Sequence, residues 1–408
     1  MYLFQPLGPE IRLRFHELIV LVDEVFPLPR RFRSDLPWDV AELSRLFTSG
    51  RGERSLTYLG RPNLLSAYLR YFLPWNVYRL CRLLPSLPLD LKDKDTVIDL
   101  GSGPLTLALA LWLSRPDLQD VSLEFYCLDR TALILEAGEK IFSALTANAA
   151  IRSWSIKTTC GDITRKGTVL IRSRTKKSRI VHPEKEFQEK PAALVSAINV
   201  FNEIFWELSP ADREGLKNLA EKSAGLLGSL CDENGSVLVM EPGIPRSGEF
   251  VSSLRSSFLE QGLELVSPCV HNKACPFPGG MAPKKKKTKW CHFSFATDDA
   301  PQELLKLSAA AGIPKERAVV SFLAAKKNTT RLPDENHAAG KGPHRARVIS
   351  DSFPAGSHFG RYCCSDEGAV LVRGSREKIE ALDSGSCTEL AINTEKDTKS
   401  GALIGELL

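Results

Sequence analysis

Apolar side chains recur every three to four positions in residues 9–24 (PEIRLRFHELIVLVDE) and again over 53–84, where Pro74 interrupts LLSAYLRYFLPWNVYRLCRLL. This spacing predicts a helical N-terminal subdomain over residues 1–92, closed by the turn-rich LPSLPLDLKDKD. The pattern then changes to short continuous apolar runs alternating with helical ones. TVIDL runs into a glycine turn and the helix TLALALWLSR; LEFYCLDR ends in an acid and leads to a helix through Ile141; SIKTTCGD precedes a basic insertion. AALVSAINV, a helix over about 210–228, SVLVMEPG, the helix GEFVSSLRSSFLEQG, and the strands LELVS and KWCHFSFA complete the region 93–298. Strands alternating with helices imply right-handed crossovers and a mostly parallel sheet covered on both faces. In the extension 299–408, residues 301–327 read as helix and 328–347 as a polar linker. RVIS, SHFGRYCC and AVLVRG read as a small antiparallel unit, and the last twenty residues are polar enough to be expected disordered.

Composition removes several classes. The longest apolar run, around Leu105 to Leu113, is about half of the roughly 18 residues that a membrane span needs. The first residues lack the basic start and apolar centre of a secretory signal, which predicts a cytoplasmic protein. In a reducing compartment the ten cysteines are expected as free thiols, available for metal or redox work. The net charge of +5 conceals a segregation. Residues 165–190 carry nine Lys/Arg against three acids, 273–289 six against none, and 326–347 six against two, while the rest of the chain has 33 basic and 44 acidic residues. Three cationic loops are expected, suited to phosphate backbones or else simply solvated.

The candidate chemistry starts at TVIDLGSGPLT. Asp99 lies near the carboxyl end of the first strand, and Gly101 and Gly103 let backbone approach a ligand where a Cβ would collide. Asp129 closes the next strand, where a carboxylate can accept both hydroxyls of a ribose. Asp162 follows the third strand at the same edge, suited to an adenine amino group. The fourth strand ends in NVFNEI, which puts Asn199 beside the cofactor position and makes Asn202 and Glu203 the catalytic candidates, unless they only cap a helix. The turn reads G-S-G-P-L-T rather than G-x-G-x-x-G, and the sheet is expected to end in a hairpin. This combination resembles the S-adenosylmethionine-dependent methyltransferases over about residues 93–297. The resemblance implies an α/β, Rossmann-like sheet of seven strands with the last one antiparallel, and it implies S-adenosylmethionine as cofactor. Leu105 stands where many such enzymes have a third glycine, which predicts an altered methionine end of the pocket.

Three cysteines sit in SPCVHNKACPFPGGMAPKKKKTKWCHFSF, residues 267–295. Cys269 and Cys275 leave one expected strand and Cys291 lies in the next, so the hairpin would gather them at one end of the sheet. Their spacing is not the C-x2-C of common zinc sites. A fourth thiol is expected from Cys363 or Cys364 in RYCCSDEG, with His271 and His292 as substitutes if the metal is zinc. Together, AYLRYFLPWNVYRL, DLGSGP, the pair Asn202 and Glu203, MEPGIPRSG, and SPCVHNKACPF followed by WCHFSF resemble the methyltransferase-like small-ribosomal-subunit protein family of bacteria and mitochondrial ribosomes. The chain is read as a bacterial, cytoplasmic member. This resemblance, over about residues 55–373, implies a [4Fe–4S] site on Cys269, Cys275, Cys291 and Cys364. It implies the small ribosomal subunit and its RNA as partners, no membrane, and a monomer off the ribosome. Methyl transfer to RNA, a non-catalytic assembly role, and a zinc-binding protein methyltransferase are the functions it leaves open.

Overall fold

Five apolar runs lie side by side in parallel, three of their four connections returning to the sheet through helices. In the computed structural model, which describes residues 2–50, 58–147, 154–164, 167–171, 179–181, 191–279, 289–327 and 343–408, these are β1 (Thr96–Leu100), β2 (Glu124–Asp129), β3 (Ser155–Ile163), β6 (Ala192–Ile198) and β7 (Cys231–Pro242). The full order is β5-β4-β3-β2-β1-β6-β7-β10-β8, with β9 against β10. Here β4 is Val169–Ile171, β5 Arg179–Val181, β8 Leu263–Ser267, β9 Phe293–Ala296 and β10 Arg317–Lys327. Strand β10 runs antiparallel to both β7 and β8. The seven-strand run with one antiparallel member is therefore present, widened to ten strands by β4, β5 and β9.

The period of two divides the sheet's side chains between two cores. Val97, Leu194, Leu238 and Met240 face a core shared with the N-terminal helices. Ile98, Leu100, Val195, Val237 and Val239 face the opposite one, packed by α9 (Arg213–Leu230) and α10 (Pro245–Glu260). The first core includes α1 (Pro9–Val25), α3 (Leu36–Phe47), α5 (Leu73–Leu83), α6 (Thr106–Ser114) and α7 (Ala132–Thr146). Every residue of α6 is buried, as its uniformly apolar sequence requires. Arg82 on α5 ties this layer to the end of β9. Its Nη1 pairs with Asp299 at 2.7 Å and donates to Tyr78 Oη at 2.7 Å, its Nη2 donates to Phe4 O at 2.9 Å, and both charges are almost fully buried. Removing one partner would leave a buried charge uncompensated, at a cost of about 3–5 kcal/mol.

Three sequence expectations change. Residues 301–327 are not one helix: α11 (Gln302–Ala310) ends before Gly312 and Pro314, and RAVVSFLAAKK becomes β10. A short apolar run fits either state by pattern, and pairing with β7 and β8 decides it. The sheet consequently extends to Lys327 rather than ending at 298, and 263–267 and 289–296 are not hairpin neighbours, since β10 lies between β8 and β9. Pro74 does not interrupt the helical path either. It sits in the first turn of α5, where its missing N–H costs little, directly after a π turn at Tyr68–Phe72 that follows α4 (Pro62–Ala67).

The tail is a closed barrel, β11-β12-β13-β15-β14, made of His344–Ala355, His358–Ser365, Gly368–Gly374, Leu403–Leu407 and Cys387–Lys396 respectively. The last twenty residues, expected disordered, supply β15 and most of β14. The helix α12 (Arg376–Glu380) joins β13 to β14, and β13 pairs in parallel with β15. Five-stranded Greek-key barrels of this kind bind oligonucleotides on their second and third strands. In this chain Tyr362, Cys364 and Leu371 of those strands face out of the barrel, into the core shared with the sheet. Among the described residues no helix is long and apolar enough to cross a membrane.

Candidate functional site

At the carboxyl edge of β1, the chain must turn sharply to enter α6. Gly101 (φ +70) and Gly103 (φ +53) take left-handed backbone there, and Leu105 does the same (φ +59). Leu105 holds a backbone conformation that favours glycine, at a cost of about 1–2 kcal/mol. Its side chain is fully buried in the core and is not among the residues that line the cleft. A Cβ on Gly101 would stand 2.3 Å from Val200 Cγ2. We expect Gly101→Ala to lower stability by about 1–3 kcal/mol through overpacking and to weaken ligand binding in the cleft. Adding Val200→Ala should recover part of the stability in chemical denaturation, leaving the cost of the positive φ.

A cleft of about 250 Å³ opens at this edge, lined by Gly101, Gly103, Asp129, Asp162, Asn199 and Glu203 among others. That volume sits just below the range of about 300–1,000 Å³ usual for small-molecule sites. Asp129 is fixed by two backbone donors: Gly103 N–H reaches Oδ2 at 3.0 Å and Thr131 N–H reaches Oδ1 at 2.9 Å. Burial pushes its carboxyl up to about 6, those two donors pull it down, and nearby Glu203 raises it. Asn199 also adopts left-handed backbone (φ +58), with its N–H donating to Met240 O at 2.7 Å. Asparagine tolerates this conformation better than most residues. Across the cleft, Arg130 Nη2 pairs with Glu203 Oε2 at 2.5 Å, bridging the wall after β2 to α8 (Phe201–Phe205).

Two of the expected site residues stand elsewhere. Asp99 is buried beneath the turn, accepts from Ser196 Oγ at 2.6 Å and does not line the cleft. Burial pushes its carboxyl up to about 7. Its position on the strand places it inside the sheet, so its role is internal. Asn202 is also buried away from the cleft, with its side chain on Glu241. That carboxylate accepts from Phe201 N–H at 2.8 Å and Asn202 N–H at 3.1 Å, capping α8. Helical rotation separates the two candidates: neighbouring residues on a helix point about 100° apart, and Glu203 alone faces the cleft.

The sequence reading missed the N-terminal layer's share of the cleft. Leu59, Tyr68 and Asn76 line it, and Tyr68 lies in the π turn. Burial, followed by the carboxylates of Asp129 and Glu203, raises the Tyr68 phenol far above its ordinary range, so it stays protonated and able to donate. The one available signal was AYLRYF itself, where an aromatic sits beside an arginine in an apolar helix.

The thiols form a second centre. Cys269, Cys275 and Cys291 are half-buried and Cys364 is buried. Burial pushes the Cys269, Cys291 and Cys364 thiols up, and neighbouring sulfurs add to it: Cys291 responds to Cys275, Cys364 and Cys269, and Cys364 to Cys275 and Cys269. Strand alternation separates the adjacent pair on β12, with Cys363 facing the barrel interior and Cys364 the sheet domain. Arg255 of α10 organises the loop. Its Nε donates to Cys269 Sγ at 3.2 Å and its Nη2 to His271 O and Lys273 O, each at 2.8 Å. His271 Nε2 lies 3.3 Å from Cys364 Sγ, and His292 instead turns to Trp290 O at 3.0 Å. Among the described residues, the group whose ligand atoms all lie within 4.8 Å of one another is His344, Asp366 and Glu367, not the four thiols.

Part of the expected cationic surface is paired within the chain, and part, such as the run Lys284 to Lys287, lies outside the described residues. Lys273 pairs with Asp366 (3.7 Å) and Glu367 (3.6 Å), and the Lys289 ammonium sits 2.9 Å from the centre of the Tyr362 ring. Arg347 is buried and donates to Pro268 O (2.9 Å) and Gly385 O (2.7 Å), locking the barrel to the thiol loop.

A family model described as "Mitochondrial small ribosomal subunit Rsm22" matches residues 131–372, more than half of the chain. The chain belongs to this Rsm22 family. The matched span contains α8 with Glu203 and all four cysteines of the second centre, and it begins just after Asp129. No curated protein matches the chain in sequence. Similar solved structures include PH0851 (13% identity, TM-score 0.32), covering 59% of this chain and 44% of that one. An S-adenosylmethionine-dependent methyltransferase from Agrobacterium tumefaciens has 7% identity and TM-score 0.32, over 63% of this chain and 61% of that one. Fibrillarin from Aeropyrum pernix, with natively bound S-adenosyl-L-methionine, has 15% identity and TM-score 0.27, over 49% and 73%. The chain thus spans less than half the length of PH0851. The assignment to the Rsm22 family rests on the sequence match and not on these low scores.

Proposed function

We propose that this Rsm22-family chain binds S-adenosylmethionine in the cleft and methylates RNA of the small ribosomal subunit. The observation that carries the reading is the Asp129 carboxylate, held by Gly103 and Thr131 between the glycine turn and Asp162. A ribose would donate to Asp129, the adenine amino group would face Asp162, and Gly101 and Asn199 would flank the methionine end. Bound there, the cofactor supplies an electrophilic methyl group. Glu203 is the group placed to accept a proton from the target, and Arg130 holds its carboxylate in position. A second reading, assembly of the subunit without transfer, is favoured by Asn202, whose engagement with Glu241 removes one of the two catalytic candidates. Incubating immature small subunits with tritiated cofactor separates the two. Label in RNA that disappears with Glu203→Ala supports methylation, and unlabelled RNA despite measured cofactor binding supports assembly alone.

Cys269, Cys275, Cys291 and Cys364 are proposed to hold a [4Fe–4S] cluster. Burial and the neighbouring sulfurs oppose ionisation of Cys291 and Cys364, and a bound cationic centre would compensate their thiolates. A single tetrahedral zinc, with Zn–S near 2.3 Å, would need sulfurs about 3.8 Å apart, closer than the 4.8 Å limit that these thiols do not satisfy as a group. The cluster's role is to fix the barrel on the sheet. Off the ribosome the protein is proposed to be a cytoplasmic monomer.

A further inference from the structure

Outside the cleft and the four thiols, the strongest combination of exposed aromatic and cationic groups among the described residues lies on the N-terminal layer. Trp38, in the first turn of α3, is 79% exposed, and Phe32, on the one-turn helix α2 (Arg30–Arg33), is 44% exposed. The Arg31 guanidinium lies 4.7 Å above the Phe32 ring, and Arg30 and Arg33 are exposed on the same turn. Asp35 is the one acid between residues 29 and 38. The display is built rather than frayed: Asp35 N–H donates to Phe32 O at 3.3 Å and Asp39 N–H to Asp35 O at 3.0 Å. Helix α3 buries Val40, Leu43 and Leu46, so Trp38 is not needed by the core.

We infer that this turn is a docking platform for single-stranded RNA. Stacked bases need flat apolar faces and the backbone needs cations beside them, and Phe32 and Trp38 with three arginines supply both. The barrel's equivalent face is covered by the chain itself. The other end of α3 reaches the cleft: Phe47 meets Tyr68 edge-on at 6.3 Å. Nine residues of helix separate Phe47 from Trp38, about 14 Å. RNA held at Trp38 is therefore positioned to lead toward the cleft. The inference rests on the RNA-directed reading above.

The test uses the full chain, a short fluorescent single-stranded RNA and ultraviolet crosslinking. Trp38→Ala should weaken binding about tenfold, Arg31→Ala should reduce the salt slope by about one, and crosslinks should map to residues 30–38. Unchanged affinity in Trp38→Ala, or crosslinks confined to the thiol loop and barrel, overturns the proposal. So does loss of self-association in Trp38→Ala without loss of RNA binding, which would assign the face to a second copy of the chain. Cofactor calorimetry on the same proteins keeps the readings apart: wild type that crosslinks at Trp38 but binds no S-adenosylmethionine preserves the platform and removes the cleft assignment.

Discussion

Cys364→Ser, purified anaerobically, should carry almost no iron where the parent carries about four per chain, and its tail should become sensitive to protease. The barrel meets the sheet through Tyr362, Cys364, Leu371 and the Arg347 contacts to Pro268 and Gly385. A cluster held by the four thiols would add a tie whose bond free energy counts as folding free energy. Cys363→Ser is the control. Its sulfur faces the barrel interior, so a hydroxyl there should cost about 1–3 kcal/mol of stability and leave the iron in place. Equal iron loss in the two variants, or a full zinc complement in the parent, would contradict the four-thiolate assignment. Arg255→Leu should retain the cysteines but lower iron retention, because the guanidinium holds both the loop carbonyls and the Cys269 sulfur.

Asp129→Ala should reduce S-adenosylmethionine affinity by about 100-fold, since hydrogen bonds to a charged group contribute about 1.5–3 kcal/mol each. The fold should persist, because the backbone donors of Gly103 and Thr131 border a cleft that water can enter. The pH dependence supplies a second readout. The ionised carboxylate is the form that accepts ribose hydroxyls, so affinity should fall as pH drops through about 6. Stability of the cofactor-free protein should move the opposite way. A carboxyl raised above its unfolded value stabilises the fold fully below about 4 and loses that contribution as pH rises through about 6. Calorimetry between pH 5 and 8 that shows flat affinity, alongside unaltered binding in the variant, would remove Asp129 from the ribose position.

Patterns local to the chain were legible without coordinates. The short apolar runs alternating with helical ones, and the glycine turn, identified β1, β2, β3, β6 and β7 and the edge at which Asp129 and Asp162 converge, because crossover hand follows from the alternation of strand and helix. The soft-ligand thiols of the 267–295 loop and RYCCSDEG were recognisable by type and context. What the sequence could not decide was which way each side chain turns and which run pairs with which. Asp99 and Asn202 have the right chemistry at the right edge, yet the pleat and the helix turn bury them on Ser196 and Glu241. RAVVSFLAAKK is strand only because β7 and β8 leave a gap that it fills. Tyr68 depends on the cleft residues more than fifty positions away, Arg255 on the fold of the loop that follows its helix, and the choice of Cys364 over Cys363 on a half-turn of strand. Such placements are set by packing free energy summed over the whole chain, and no local window of sequence contains them.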